Sequence, residues 1–62
     1  MKVKEIFESG LINDNTEIFI RDAEFNILAH GNWYNDNILY YEEYEAESFT
    51  WQDDNKIYID IK

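Results

Sequence analysis

The chain has 62 residues, no cysteine, a net charge of −9 and an apolar fraction of 45%. One domain is expected, without disulfides or a thiolate zinc site, and the apolar content is too high for a disordered chain. An acidic chain repels nucleic acid and anionic membranes, and no stretch approaches either the apolar run of a signal peptide or the roughly 18 apolar residues of a membrane span. These features predict a folded protein of the cytoplasm.

The first predicted element is a short amphipathic helix over about residues 2 to 9. Four apolar residues recur at helical spacing and form one stripe: Val3, Ile6, Phe7 and Leu11. Gly10 stands where a helix ends in a left-handed cap, since glycine adopts positive φ without steric cost. The stripe predicts that this helix lies across one face of a sheet.

Two hairpins are predicted after the helix. In EIFIR, Ile18 and Ile20 fall on one face of a strand, and Phe19 and its charged neighbours fall on the other. An extended apolar run resumes after the turn residues DAEFN, so residues 17 to 32 are predicted to form the first hairpin. In the second, ESFTW and KIYIDI flank the turn QDDN. The predicted fold is therefore α+β, with the helix on a four-stranded antiparallel sheet of two hairpins. A small barrel-like closure is the alternative, because it removes open strand edges.

The expected core combines the helical stripe with one face of the strands. With no proline and only two glycines, nothing suggests a linker, so residues 1 to 62 are predicted to share this core as a single domain. The strands and their connection add Ile18, Ile20, Ile27, Ala29, Trp33, Leu39, Phe49, Trp51, Ile57, Ile59 and Ile61.

The connection between the hairpins, NWYNDNILYYEEYEAES at residues 32 to 48, crowds together five aromatic rings and five acids. Asp36 is suited to cap a helical turn here. Alternatively the segment continues as a strand, which places Tyr41, Glu43, Glu45 and Glu47 on one face as a ladder of charge. An acidic face results from either geometry.

All of the net charge comes from the middle of the chain. Residues 22 to 55 contain nine acids and neither lysine nor arginine. Such a region steers cationic partners, and Trp and Tyr are residues suited to interface anchors. The predicted partner is therefore a protein with a basic surface. The residues predicted to contact it are Trp33, Tyr34, Asp36, Tyr40, Tyr41, Glu42, Glu43, Tyr44, Glu45 and Glu47. In the alternative interpretation, Trp33, Ile38, Leu39 and one or two of the tyrosines are core, and the glutamates form a solvated edge.

Catalytic and metal-binding motifs are not apparent. His30 is the single histidine, and neither serine lies in a nucleophile-elbow pattern. The two NDN triplets lack the glycine and distal glutamate of a calcium loop, so they indicate turns. We therefore expect a protein that is not an enzyme and that has no cofactor, metal or catalytic residue.

Three stretches carry a resemblance to a known class of protein: MKVKEIFESG, ILAHGNWYNDNILYY and SFTWQDDNKIYIDIK. Together they resemble small uncharacterised accessory proteins of phages and prophages of Gram-positive bacteria. The resemblance implies a protein that occupies a host protein, as anti-restriction and anti-CRISPR inhibitors do when they present carboxylates in place of phosphates.

Three functions follow from these observations. The first is a non-enzymatic acidic protein-binding module, such as an inhibitor that mimics nucleic acid and acts on a nucleic-acid-binding or defence protein of the host. The second is an oligomeric sponge for a signalling nucleotide, and the third is a structural or regulatory subunit with a solvated acidic face. A homodimer is also expected, because a chain of this length buries only about 60% of its unfolded surface.

The charge distribution predicts that the protein does not bind DNA or RNA directly. Without a basic stripe it cannot release counterions from phosphates, which is the main source of non-specific affinity. Gel-shift experiments with duplex and single strands at low salt should show no retardation. A retarded band that disappears as salt is added would contradict this prediction.

Overall fold

The computed structural model describes residues 1–62 and contains two short helices and four strands. The strands form one open sheet in the order β2-β1-β4-β3. Neither helix has the length and apolar character needed to cross a bilayer. In chain order the elements are α1 (Val3–Glu8), β1 (Glu17–Arg21), β2 (Ile27–Gly31), α2 (Asp36–Leu39), β3 (Ala46–Asp53) and β4 (Lys56–Ile61).

The α+β class and both hairpins are confirmed, but the prediction of a wholly antiparallel sheet is wrong. β1 pairs antiparallel with β2, and β3 pairs antiparallel with β4, whereas the two inner strands β1 and β4 are parallel. The chain leaves β2 at one edge and enters β3 at the opposite edge, so the second hairpin docks through its last strand. The sheet stays open, and the barrel-like closure does not form.

The hydrophobic core lies on one side of the sheet. The parallel register places Ile18 beside Ile57 and Ile20 beside Ile59. Both helices add buried side chains to this layer, which confirms that α1 packs on the sheet through Val3 and Ile6. The buried apolar residues are Val3, Ile6, Ile18, Ile20, Ala29, Ile38, Ile57, Ile59 and Ile61.

Part of the predicted core is exposed. The helices have only six and four residues, and α2 packs mainly on β2, so several apolar residues, including those of β3, are left uncovered. Phe7 and Leu39 are half-buried. Ile38, which only the alternative interpretation of the connecting segment assigns to the core, is fully buried. Five residues assigned to the core are between 36% and 53% exposed: Leu11, Ile27, Trp33, Phe49 and Trp51.

The helix ends follow from local sequence. Gly10 has φ of 86°, which confirms the predicted left-handed residue after α1. At the other end, the Glu5 carboxylate accepts a hydrogen bond of 2.9 Å from the Lys2 backbone N–H. This contact satisfies one donor near the start of the helix.

Shortening one central isoleucine should measure how much the inner strands contribute to stability. Ile59→Val removes a methylene from a fully buried side chain and should lower the free energy of unfolding by about 1 kcal/mol. Ile27→Val, the same change at an exposed position, should alter it by less than about 0.5 kcal/mol. Urea unfolding followed by circular dichroism checks both variants. Equal effects of the two substitutions would contradict the assignment of Ile59 as buried and Ile27 as exposed.

Candidate functional site

The segment that follows α2 folds as consecutive turns rather than as a strand. α2 begins at Asp36 and β3 begins only at Ala46, so the helical-turn alternative is the one observed. The predicted capping role of Asp36 is wrong, because the N-cap is Asn35 and it makes no side-chain capping hydrogen bond. Glu43 therefore lies in a turn, and Glu45 makes an isolated bridge with Lys2. The regular carboxylate ladder of the strand alternative does not form.

Backbone hydrogen bonds attach this segment to the beginning of α1. The Val3 N–H donates to the Tyr44 carbonyl and the Lys4 N–H to the Glu42 carbonyl, each at 2.9 Å. The Ala46 N–H donates to the Met1 carbonyl at 2.7 Å. The first N–H groups of a helix have no partner within it, so the turn supplies the acceptors that α1 needs.

Two lysines clamp one of the predicted partner-binding glutamates. Lys2 Nζ and Lys4 Nζ lie 2.9 and 2.8 Å from the two oxygens of the Glu43 carboxylate. Hydrogen bonds from Lys4 and Lys2, reinforced by their charges, lower the pKa of Glu43 from 4.5 to about 2. The hydrogen bond to Glu43 in turn raises the pKa of Lys4. The negative charge of Glu43 is therefore already compensated by two lysines of the same chain.

Glu45 is also paired. Its carboxylate lies 3.2 Å from the N-terminal ammonium of Met1. Two of the glutamates predicted to contact a partner thus hold the N-terminal segment in place. Because both pairs are exposed to solvent, they restrain the segment's position more than they stabilise the fold.

A groove of about 200 Å³ lies beside this segment. Three apolar side chains, Phe7, Trp33 and Leu39, and three charged ones, Lys4, Glu8 and Glu42, line it. We call these six residues the aromatic groove. The Trp33 indole N–H donates to Asp14 Oδ1 at 2.8 Å, which fixes the ring although it is 39% exposed.

Three tyrosines after α2 form a cluster of their own. The ring centroids of Tyr40 and Tyr41 are 4.9 Å apart, and those of Tyr41 and Tyr44 are 5.1 Å apart. Tyr41 packs against the core, whereas Tyr40 is 69% exposed. The nearby Tyr40 raises the pKa of Tyr44, because two phenolates would repel each other. The cluster therefore presents the rings of Tyr40 and Tyr44 to solvent.

The predicted contact residues do not form one surface. Trp33 and Glu42 meet in the aromatic groove, and Tyr34 packs edge-to-face on Trp33 with centroids 5.7 Å apart. Asp36 is exposed in the first turn of α2. Glu47 lies apart on β3, where it lines a separate concavity with Asp22, Phe25 and other residues.

Four groove residues were not predicted as contacts: Lys4, Phe7, Glu8 and Leu39. Both apolar members belong to the predicted core, and Phe7 does pack against it while also lining the groove, because an apolar stripe does not reveal where the covering layer stops. One feature of the sequence does indicate this side of α1: Lys4 and Glu8 are four residues apart and so share a face of the helix.

A second cluster occupies the sheet face opposite the core. Phe19 stacks on Tyr58 with centroids 4.7 Å apart, and His30 stacks on the other side of Phe19 at 5.8 Å. The Arg21 guanidinium bonds both oxygens of Asp60, at 2.7 and 3.1 Å. The alternation of EIFIR and KIYID indicates these outward residues, but only the parallel pairing brings them together.

Arg21 also contacts the turn between β1 and β2. Its guanidinium carbon lies 4.8 Å from the ring centroid of Phe25 and 4.7 Å from that of Tyr58. Phe25 has φ of 66°, a left-handed conformation that is rare for a bulky side chain. Hydrogen bonds from Asn26 and Glu24 lower the pKa of Asp22 in the same turn.

No cluster of three or more His, Cys, Asp or Glu side chains is arranged to hold a metal ion. No family model, curated protein or solved structure matches this chain. The functional proposal therefore depends on the geometry described above.

The lysine clamp predicts a specific pH dependence of stability. A carboxyl group whose pKa is lowered on folding stabilises the protein above its unfolded pKa, and this stabilisation is lost as the group is protonated. The stability of wild type relative to Glu43→Gln should therefore be highest above about pH 5 and should fall between about pH 4.5 and pH 2. Urea unfolding at several pH values measures this difference.

Glu47→Gln is the matched control, because it removes the same charge from a carboxylate that forms no ion pair. Its stability relative to wild type should change less over the same pH range. If both variants show the same pH dependence, general charge repulsion rather than the clamp determines the acid response.

Proposed function

We propose that this protein is a non-enzymatic protein-binding module that holds a basic, partly apolar segment of a partner protein in the aromatic groove. One observation carries the proposal: the groove places exposed rings beside two carboxylates, Glu8 and Glu42, that have no ion pair within the chain. A segment with an apolar anchor and flanking Lys or Arg side chains matches this arrangement.

The apolar part of the groove suits an anchoring side chain. Trp33 is held by Asp14, so its ring loses little conformational freedom when a partner binds. Tryptophan and tyrosine dominate the energetics of many interfaces, and they also attract cations through the faces of their rings. The exposed Tyr34, which packs edge-to-face on Trp33, extends the aromatic surface beyond the groove.

The charge of the chain supports a basic partner. Residues 22 to 55 contribute all of the net charge of −9, and a field of one sign accelerates the encounter with a protein of opposite charge. Because Glu43 and Glu45 are paired internally, the carboxylates that contact the partner in this proposal are Glu8 and Glu42 rather than the whole predicted set.

The proposal includes the origin and role that the sequence resemblance implies. In it, the partner is a host protein with a basic surface, the setting is the cytoplasm of the host, and the module is a phage-encoded inhibitor. The protein resembles nucleic acid only in its negative charge, since the regular ladder of carboxylates, which would imitate the spacing of phosphates, does not form.

The test begins with the partner captured from a bacterial lysate at low salt and released at high salt. The double variant Glu8→Gln/Glu42→Gln should bind this partner with a slower association rate and a weaker dependence on salt. The fold should be retained, because both side chains lack ion pairs. Biolayer interferometry across a salt series measures the rates.

The matched control is Glu24→Gln/Asp54→Asn, which removes the same charge at two exposed positions outside the groove. It should retain most of the association rate. If the control slows binding as much as the groove variant does, net charge alone attracts the partner. If neither variant changes the rate, the groove is not the binding site.

A further inference from the structure

β3 presents an unprotected strand edge. It is the longest strand, with eight residues, and it lies at the margin of the sheet with every residue after Ala46 exposed. Beyond its ladder with β4, the only backbone hydrogen bond that it forms is the one between the Ala46 N–H and the Met1 carbonyl. The remaining outward N–H and C=O groups are open to another strand.

The sequence of β3 lacks the usual devices that block edge pairing. It contains neither lysine nor proline, and its charges lie near the ends, at Glu47 and Asp53. The shifts in register fall outside residues 48 to 51. The opposite edge is different, because β2 has only five residues and the Asn37 side chain donates to the His30 carbonyl at 3.0 Å.

Two large side chains on β3 lack cover. Phe49 lies opposite Ile59 and Trp51 opposite Ile57, which places both on the core side of the sheet. They are nevertheless 37% and 36% exposed, because the helices do not reach this edge. A further strand beside β3 would bury both rings against the existing core.

We propose that the occupant of this edge is a second copy of the chain, with the two β3 strands antiparallel about a two-fold axis at Thr50. Phe49 of each copy then faces Trp51 of the other, Ser48 faces Gln52, and the two Thr50 side chains face each other. Aromatic and hydroxyl pairs of this kind stabilise neighbouring antiparallel strands. The sequence around Thr50 is thus complementary to itself, as a two-fold interface requires.

Other registers fit less well. A shift of two residues places Phe49 opposite Asp53 in one direction and Trp51 opposite Glu47 in the other, so an apolar ring meets a carboxylate. The proposed register has one unfavourable pair at each end, Glu47 with Asp53. Together with a charge of −9 on each copy, this pair predicts that salt strengthens the dimer. Salt should instead weaken binding of a basic partner in the groove, so the two interactions are distinguishable.

A single cysteine at the two-fold axis tests the register, since the chain has no cysteine of its own. Directly opposed residues of antiparallel strands have Cα atoms about 4.5 to 5.5 Å apart, which a disulfide can bridge. Thr50→Cys should therefore form a covalent dimer under mild oxidation. Ser48→Cys is the control on the same strand and face, because its two copies would be roughly 13 Å apart.

Crosslinking is measured on non-reducing gels over a dilution series, with sedimentation velocity on the wild type in low and high salt. We expect a wild-type dimer that dissociates on dilution, and Thr50→Cys crosslinking at least about tenfold faster than Ser48→Cys. Trp51→Lys, which places a charge on the proposed interface, should be monomeric with an unchanged circular dichroism spectrum.

Several results would overturn the proposal. One is a wild type that sediments at the single-chain mass of 7.5 kDa at all concentrations. Another is equal crosslinking of the two cysteine variants, which would indicate random collision. A Trp51→Lys variant that dimerises as strongly as wild type would place the contact elsewhere.

Discussion

The parallel pairing of β1 with β4 is the interaction on which the rest of this structure depends. It places the isoleucines of the two inner strands side by side, and these side chains are almost completely buried. Both helices and the remaining strands pack around or beside this pair. Because the chain is short, there is enough covering material for the two inner strands but not for the edges. The exposed rings of β3 and the aromatic groove beside α1 are both products of this incomplete cover.

Electrostatics in this protein are local despite the large net charge. Three basic side chains, Lys2, Lys4 and Arg21, each form an ion pair with a carboxylate, so the negative charges of those carboxylates are compensated locally. The Arg21–Asp60 pair is the least exposed of these and has bidentate geometry, which gives it directional specificity as well as charge. The pairs made by Lys2 and Lys4 instead attach the N-terminal segment to the turn after α2. The repulsive field therefore originates from the remaining acids, which lie mostly on turns and strand ends.

Local patterns predicted the elements of this fold better than their assembly. The alternation in EIFIR and KIYIDI correctly indicated two strands and their buried faces, and the apolar spacing of α1 indicated a helix. The parallel contact between β1 and β4 joins residues some 40 positions apart in the chain, and no local preference encodes it. Trp33 and Glu42 were predicted as contact residues and do share the groove. Phe7 packs against the core as predicted but also lines the groove, and Leu39 is half-buried there, because the exposure of both side chains depends on how far two short helices extend over the sheet.

The left-handed conformation of Phe25 has a consequence for how the chain unfolds. A bulky residue at positive φ costs about 1 to 2 kcal/mol, so this turn opposes rather than assists closure of the first hairpin. The contact that offsets the cost is the Arg21 guanidinium, which is held in turn by Asp60 and Tyr58 on β4. Hydrogen bonds between Asp22 and Asn26 stabilise the turn locally, whereas the contact with Arg21 gains its support from β4 only when the second hairpin is docked. Arg21 therefore adds to the coupling between the two halves of the chain that the β1–β4 pairing already provides.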